Sequence, residues 1–205
     1  MGTDWGKVII LNGTPRSGKS SIAEVIQNTF DGVWLNLGVD NYMKTIPSKY
    51  QPGIGLRPGG ERPDMETMIE AMYLAMYESI AAHSRRGLNV VADVGHHDYY
   101  SKPLGILPKC AEFLADHDVL FVGVRCPVDI IMERRIATWK AGYDDGEIPA
   151  PVIRWQESVH AHGIYDFEAD TSRNTPEEIA VMIKDYLSCE RKPRAFERLA
   201  QSAGS

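Results

Sequence analysis

The chain has 205 residues, 43% of them hydrophobic, which suits one α/β domain with a substantial core. Its 22 Lys and Arg against 28 Asp and Glu give a net charge of −6, which argues against nucleic acid as a main partner. No apolar run approaches the about 18 residues of a membrane span, and we find no signal-peptide pattern. The three cysteines fit neither a zinc site nor a disulfide framework. We expect a cytoplasmic protein without a membrane partner.

The most informative stretch follows a predicted strand over residues 8–11 and precedes a predicted helix over 20–29. Residues 13–20, GTPRSGKS, match the pattern G-x-x-x-x-G-K-S, whose backbone amides and helix N-terminus bind phosphate. The lysine of this pattern supplies a charge for the β- and γ-phosphates, and the serine hydroxyl can bind Mg²⁺. A glycine turn with a surface lysine is the alternative. We predict ATP binding by this loop (the P-loop): Gly13, Thr14, Pro15, Arg16, Ser17, Gly18, Lys19, Ser20 and Ser21.

A second strand is predicted over residues 33–37, and it is followed by Gly38, Val39 and Asp40. In a parallel sheet the carboxyl ends of the strands form the edge where ligands bind. At this edge Asp40 could accept the proton of a hydroxyl that is being phosphorylated, with Gly38 leaving room for the acceptor. Alternatively, Asp40 only caps a short helix in the region 41–46.

The segment 48–63 contains three prolines and four glycines and is long for a simple connection. It is a candidate substrate-side flap, and a disordered insertion is the alternative. Asp64 is placed to cap a helix that runs to about Arg86 and carries Met and Ile at helical spacing.

A third strand is predicted over 88–93 and ends in Asp93, an acid placed to order the Mg²⁺ shell together with Ser20. His96, His97 and Asp98 follow on a turn. Adjacent residues on a turn rarely converge on one metal ion, so we expect a polar or substrate-contacting loop. A helix over 104–115 is predicted to begin near Pro103.

The fourth strand, 119–124, leads into a helix that ends at about Thr138 and carries Arg134 and Arg135. These arginines either reach the transferring phosphate from a lid or lie on a solvated helix face. A Gly- and Pro-rich stretch over 139–152 and a short helix to His160 complete a lid of about residues 134–160.

The remaining chain predicts an edge strand over 165–171, a helix over 175–187, and a flexible basic tail over about 190–205. The alternation of strands and helices predicts one α/β domain over residues 1–205. Its expected fold is that of P-loop NTPases: a five-stranded parallel sheet with helices on both faces and a helical lid.

Several segments resemble the chloramphenicol phosphotransferase-like family of small-molecule P-loop kinases: IILNGTPRSGKS, WLNLGVDNYM, LNVVADV, LFVGVRCPVDIIMERR and YDFEADTS. The resemblance covers about residues 7–187. It implies an ATP-dependent phosphotransferase with Asp40 as general base, lid arginines at Arg134 and Arg135, and phosphate binding by Gly13, Gly18, Lys19 and Ser20. The third strand, the segments 48–63 and 139–152, and the tail depart from the family pattern.

The function that we expect is transfer of the ATP γ-phosphoryl group to a hydroxyl of a small molecule, such as an antibiotic like chloramphenicol. A nucleoside, nucleotide or nucleotide-sugar kinase is an alternative. An acceptor phosphate requires an arginine cluster, for which only Arg57 and Arg62 stand in a suitable loop. A non-catalytic nucleotide switch is a third hypothesis, although a switch has no need of a carboxylate at position 40. The sequence alone does not identify the acceptor or the oligomeric state.

Overall fold

The fold is built on a parallel sheet in a computed structural model that describes residues 4–140, 142–189 and 192–202. The sheet has the strand order β2-β3-β1-β4-β5, and every neighbouring pair is parallel. Its strands are β1 (Val8–Asn12), β2 (Trp34–Asn36), β3 (Asn89–Val94), β4 (Val119–Arg125) and β5 (Phe167–Asp170). The predicted five-stranded parallel sheet is therefore confirmed.

Both faces of the sheet are buried. Val8 and Ile10 of β1 pack into the core on one face, and Ile9 and Leu11 pack into the core on the other. This alternation follows from the two-residue repeat of a strand, and it explains why the strand is apolar at consecutive positions.

Helices cover the two faces. α1 (Lys19–Thr29) and α7 (Pro176–Ser188) cover one face, while α3 (Glu66–Ser84), α4 (Ile106–Glu112) and α8 (Ala195–Ser202) cover the other. α7 begins with a capping box, in which Thr175 Oγ1 accepts a hydrogen bond from the Glu178 amide and the Glu178 carboxylate accepts one from the Thr175 amide. The predicted start of this helix is confirmed.

Three further helices contribute residues to the cleft described below: α2 (Val39–Met43), α5 (Val128–Trp139) and α6 (Ala150–Ser158). The second half of α5, the stretch that follows it and α6 lie within the lid segment 134–160 that the sequence predicts. Residue 141 of this segment is outside the described residues.

Two helix starts differ from the sequence prediction. Asp64 does not cap α3, because its carboxylate pairs with Arg62 at 2.8 Å and a 3₁₀ turn over Pro63–Met65 precedes the helix. α4 begins at Ile106 and not near Pro103, since the Asp98 carboxylate accepts hydrogen bonds from the Leu104 and Gly105 amides.

The C-terminal segment is folded where the structure describes it, which corrects the expectation of a flexible tail for residues 195–202. Phe196 of α8 is buried against Tyr77 of α3 and Phe121 of β4, with ring centroids 6.1 and 5.1 Å apart. The Asp166 carboxylate accepts hydrogen bonds from the Arg194 and Ala195 amides and so fixes the start of α8.

The segment 48–63 is also folded, which excludes a disordered insertion. It contains three short 3₁₀ helices, Ser48–Tyr50, Gly53–Gly55 and Pro63–Met65. Ile54 and Leu56 are buried in the core beneath it. No helix in the described ranges is both long enough and apolar enough to cross a bilayer.

Candidate active site

A cleft of about 940 Å³ opens between the P-loop, α2, the segment 48–63 and the lid. It brings together the candidate site residues from distant parts of the chain. Ser17 does not line it, since this side chain is buried beneath the loop. The other candidates all do: Gly13, Thr14, Pro15, Arg16, Gly18, Lys19, Ser20, Ser21, Asp40, Asp93, Arg134 and Arg135.

The P-loop wraps around the ammonium group of Lys19. Gly18 has φ 98° and is the N-cap of α1, a backbone conformation that favours glycine. Lys19 Nζ donates to the carbonyl oxygens of Gly13 and Thr14 at 2.9 and 2.8 Å. Burial lowers the pKa of Lys19 to about 8, against the opposing effect of the Asp93 and Asp40 carboxylates. The loop thus holds a positive charge where it meets the cleft.

Ser20 and Asp93, the two candidate Mg²⁺ ligands, are brought into direct contact. Ser20 Oγ at the start of α1 donates to Asp93 Oδ2 in β3 at 2.7 Å, across 73 positions of sequence. A hydroxyl and a carboxylate are the oxygen donors that Mg²⁺ prefers. The donor set therefore fits this ion next to the P-loop.

Gly38 has a different role from the one expected. A Cβ atom at this position would lie 1.8 Å from Asp93 Oδ1. The space beside Gly38 is therefore filled by the Asp93 carboxylate and is not left for an acceptor. Gly38 therefore leaves room for Asp93, the candidate metal ligand on the neighbouring strand β3.

Asp40 lies in the first turn of α2, exposed and facing the cleft. The N-cap of α2 is Gly38, whose carbonyl accepts hydrogen bonds from the Asn41 and Tyr42 amides. This excludes the alternative that Asp40 caps the helix. Within the described residues the Asp40 carboxylate has no hydrogen-bond or salt-bridge partner, so it is available to a ligand.

Arg134 and Arg135 are half-buried and line the cleft, which excludes a fully solvated face. They differ in their contacts. Arg134 donates to Thr171 Oγ1 at 3.0 Å and to the carbonyl oxygens of Thr171 and Arg16 at 2.8 and 3.3 Å. The Arg135 guanidinium lies 5.3 Å from the ring centroid of Trp139, and its buried Nε has no hydrogen-bond partner among the described residues. Arg135 is therefore the freer of the two to bind a ligand.

The side of the cleft beyond Asp40 is lined mainly by apolar and aromatic side chains. Arg57 adds a charge there, and Arg62 does not line the cleft because it pairs with Asp64. Sequence reasoning missed Trp139, at the end of α5, and Trp155, in α6, although both are large aromatic residues within the predicted lid. The lining of this side includes Val39, Met43, Ile54, Tyr73, Val94 and Trp155.

The lid and the segment 48–63 are joined by Arg154 of α6. Its guanidinium forms an ion pair with Glu61, and its Nε donates to the Pro58 carbonyl at 2.8 Å. On the other side of the segment, the Gly59 amide donates to the Tyr99 carbonyl at 2.7 Å. These contacts hold the segment against the cleft.

The histidine pair after β3 packs inside the protein and does not line the cleft. The Tyr99 amide donates to His97 Nδ1, so the opposite ring nitrogen donates to the Leu56 carbonyl at 3.1 Å. His96 is paired with Tyr77, and Asp98 accepts hydrogen bonds from the Leu104 and Gly105 amides, just before α4. Burial lowers the pKa of His96 to about 3. The three side chains have different partners, and this gives each of them a structural role.

Asn12, the residue before the P-loop, is the centre of a buried polar network. Its side-chain amide donates to the Tyr165 hydroxyl at 2.8 Å and to the Val159 carbonyl at 3.0 Å. Its side-chain oxygen accepts from the His96 amide at 2.8 Å. The network connects the start of the P-loop with the end of the lid and the loop after β3, and it fixes the base of the cleft.

Solved structures of P-loop kinases share this fold. Shikimate kinase from Acinetobacter baumannii in complex with shikimate is 12% identical, with 88% of this chain and 92% of that chain covered at a TM-score of 0.57. APS kinase from Mycobacterium tuberculosis in complex with AMPPNP and APS is 15% identical, with 90% and 99% covered at a TM-score of 0.55. The expected P-loop kinase fold is confirmed.

Sequence comparison leads to a family. A provisionally named O-phosphotransferase, found in two strains of Mycobacterium tuberculosis, is 26% identical over 97% of this chain and 89% of its own length. The family model described as chloramphenicol phosphotransferase-like protein matches residues 6–188, nearly the whole chain. This chain therefore belongs to the chloramphenicol phosphotransferase-like family.

Proposed function

We propose that this protein transfers the γ-phosphoryl group of ATP to a hydroxyl group of a small molecule. The observation that carries the proposal is the arrangement of three groups around one cleft. The Lys19 ammonium, the Ser20–Asp93 pair and the Asp40 carboxylate, which has no partner among the described residues, all line it. Phosphoryl transfer depends on positioning and charge stabilisation, and these groups supply both.

On the ATP side, the P-loop amides and Lys19 hold the β- and γ-phosphates. Ser20 and Asp93 would hold Mg²⁺, which would neutralise charge on the phosphate oxygens. Arg135 stabilises the charge on the transferring group from the lid, while Arg134 fixes the lid to the P-loop through Thr171. Thr171 Oγ1 in turn donates to the Ser17 carbonyl at 2.7 Å.

On the acceptor side, Asp40 accepts the hydroxyl proton as the oxygen–phosphorus bond forms. The apolar and aromatic lining beyond Asp40, with Tyr73 and Trp155, favours an acceptor with an apolar part next to its hydroxyl. The family name points to chloramphenicol, and the two related kinase structures are complexes with shikimate and with APS. An antibiotic is one member of this acceptor class.

The cleft gives less support to a kinase for nucleoside monophosphates. Such an acceptor carries a dianionic phosphate that needs several arginines. Arg57 lines the acceptor side, but Arg62 is paired with Asp64 and Arg154 with Glu61. A nucleotide switch has no use for a carboxylate at position 40 that faces the cleft.

The experiment is a transfer assay with the full chain, MgATP and a panel of hydroxyl-bearing antibiotics, sugars and nucleosides. ADP release is measured, and mass spectrometry identifies any product that has gained a phosphoryl group. We expect phosphorylation of at least one non-nucleotide acceptor, abolished in Lys19→Ala. Phosphorylation of nucleoside monophosphates alone would replace this proposal with the nucleotide-kinase alternative. Tight ATP binding without transfer to any acceptor would favour a switch.

A further inference from the structure

Arg16, at a variable position of the P-loop pattern, has an unusual backbone. Its φ is 68°, in the left-handed region that favours glycine. Lys140 and Asp145 are the other described non-glycine residues with positive φ. A residue with a long side chain at such a position costs conformational energy that glycine would avoid. Glycine would fit this backbone better, so the presence of arginine indicates a role for the side chain.

The Arg16 side chain extends toward the lid and faces the cleft. Its guanidinium carbon lies 3.9 Å from the ring centroid of Trp139, at the end of α5. Its Nε is buried and has no hydrogen-bond partner among the described residues. A buried donor without a partner is unfavourable in the free protein, and an acceptor atom of a ligand would satisfy it.

Arg135 approaches the same tryptophan from the lid. Its guanidinium carbon is 5.3 Å from the Trp139 ring centroid, and its Nε is also buried without a partner in the described part of the chain. Two guanidinium groups therefore share one ring, one from the P-loop and one from the lid. The two like charges repel each other, since Arg135 acts on the Arg16 guanidinium, and an anion bound by both would relieve the repulsion.

The electrostatic environment of Arg16 points to the same place in the cleft. Burial lowers the pKa of the Arg16 guanidinium, Asp40 acts in the opposite direction, and Arg135 lowers it further. Arg16 is therefore close enough to both the candidate base and the lid arginine to interact with their charges. The transferring phosphoryl group must lie between the P-loop and Asp40 if the proposed function is right.

We propose that Arg16 is a catalytic residue: the P-loop supplies its own arginine, which holds the transferring phosphoryl group together with Arg135, while Trp139 positions both guanidiniums. This inference rests on the proposed function. In the step, the bond between the γ-phosphorus and the oxygen bridging to the β-phosphate breaks, and the bond to the acceptor oxygen forms. The acceptor proton passes to Asp40, and Arg16 stays protonated throughout.

The test compares Arg16→Gly with Asp145→Gly. Both variants place glycine at a positive φ, of 68° and 50° respectively, but Asp145 is exposed and does not line the cleft. Calorimetry measures the affinity of each variant for MgATP and for MgADP with aluminium fluoride, a mimic of the transferring phosphoryl group. Thermal unfolding measures the Tm of each free protein. An Arg16→Lys variant keeps the charge without the planar donor geometry.

We expect Arg16→Gly to keep its Tm and to lose about 10²-fold in affinity for the fluoride complex, with a much smaller loss for MgATP. Arg16→Lys should recover part of the loss, and Asp145→Gly should match the wild type. Wild-type affinity of Arg16→Gly for both ligands would overturn the assignment. Equal losses for the two ligands would overturn the catalytic role and make Arg16 a nucleotide contact. Failure of the wild type to phosphorylate any acceptor would count against the proposed function, while these affinities would still decide the role of Arg16.

Discussion

The two sides of the cleft are built in different ways. On the phosphate side (P-loop, Asp93, Arg134), side chains are bound to each other and to backbone carbonyls, as in the Ser20–Asp93 pair and the Arg134–Thr171 contacts. On the acceptor side (α2, segment 48–63, Tyr73, Trp155), the lining is largely apolar, and the Asp40 carboxylate has no partner among the described residues. The phosphate side is preorganised for charge, whereas the acceptor side is shaped for a particular molecule.

This difference predicts that changes on the phosphate side reduce turnover for every acceptor. Lys19→Ala should have the largest effect, a loss of about 10³-fold or more in kcat/KM, because no other ammonium lines the cleft in the described residues. Steady-state kinetics and thermal unfolding measure the outcome. Lys102→Ala is the matched control, since Lys102 is exposed and outside the cleft. Unchanged kcat in a folded Lys19→Ala protein would contradict the kinase proposal.

The adjacent arginines of the lid allow a comparison within one helix. Arg135→Ala should lower kcat by about 10²-fold with little effect on Tm, since its Nε has no protein partner in the described chain. Arg134→Ala should lower Tm and ATP affinity more than kcat, because it breaks the contacts to Thr171 and the P-loop. Kinetics, ATP titration and thermal unfolding of both variants give the comparison. The reverse pattern would assign the transferring phosphate to Arg134.

Asp40→Asn removes the candidate base and keeps the shape of the side chain. We expect MgATP affinity to be retained and acceptor phosphorylation to fall by about 10²-fold. Asp118→Asn, an exposed residue before β4 and outside the cleft, controls for the loss of one charge. Full activity of the Asp40→Asn protein would leave the mechanism without this base. Loss of MgATP binding would instead place Asp40 on the phosphate side.

Sequence reasoning predicted the fold around the P-loop because its signals are local. The P-loop pattern occupies eight consecutive residues, and apolar runs indicate the buried strands of a parallel sheet. Ser20 and Asp93 were each predicted to lie at the ligand edge of the sheet, and their contact depends on the pairing of β1 with β3, which the sequence did not indicate.

The features that the sequence did not reveal depend on contacts between distant residues. Gly38 is small because a carboxylate from position 93 fills the space beside it. The spacing of Ala195, Phe196 and Leu199 is that of an amphipathic helix, but it does not indicate that Phe196 packs against Tyr77 and Phe121. The contact between Arg16 and Trp139 joins two segments more than a hundred residues apart. Such pairings become visible only when the sheet has fixed the positions of the loops.

The last prediction separates the two sides of the cleft by pH. Because the pKa of Lys19 is lowered to about 8, MgATP affinity should fall about tenfold from about pH 7.5 to about pH 9, as the ammonium loses its proton. Binding of polyphosphate favours the charged form, so ATP should bind with proton uptake in this range. Calorimetry in buffers with different ionisation enthalpies measures that uptake, and Lys19→Met should abolish it.

The stability of the free protein should respond to the same group with the opposite sign. Between about pH 8 and the unfolded value of 10.5, the unfolded state holds more protons on Lys19 than the folded state does. This group therefore makes the free energy of unfolding rise with pH, while ATP affinity falls. Acceptor affinity, measured without nucleotide, should not follow this titration, since Lys19 lies on the phosphate side. An acceptor affinity that fell in parallel with MgATP affinity would show that the two sides of the cleft share this charge.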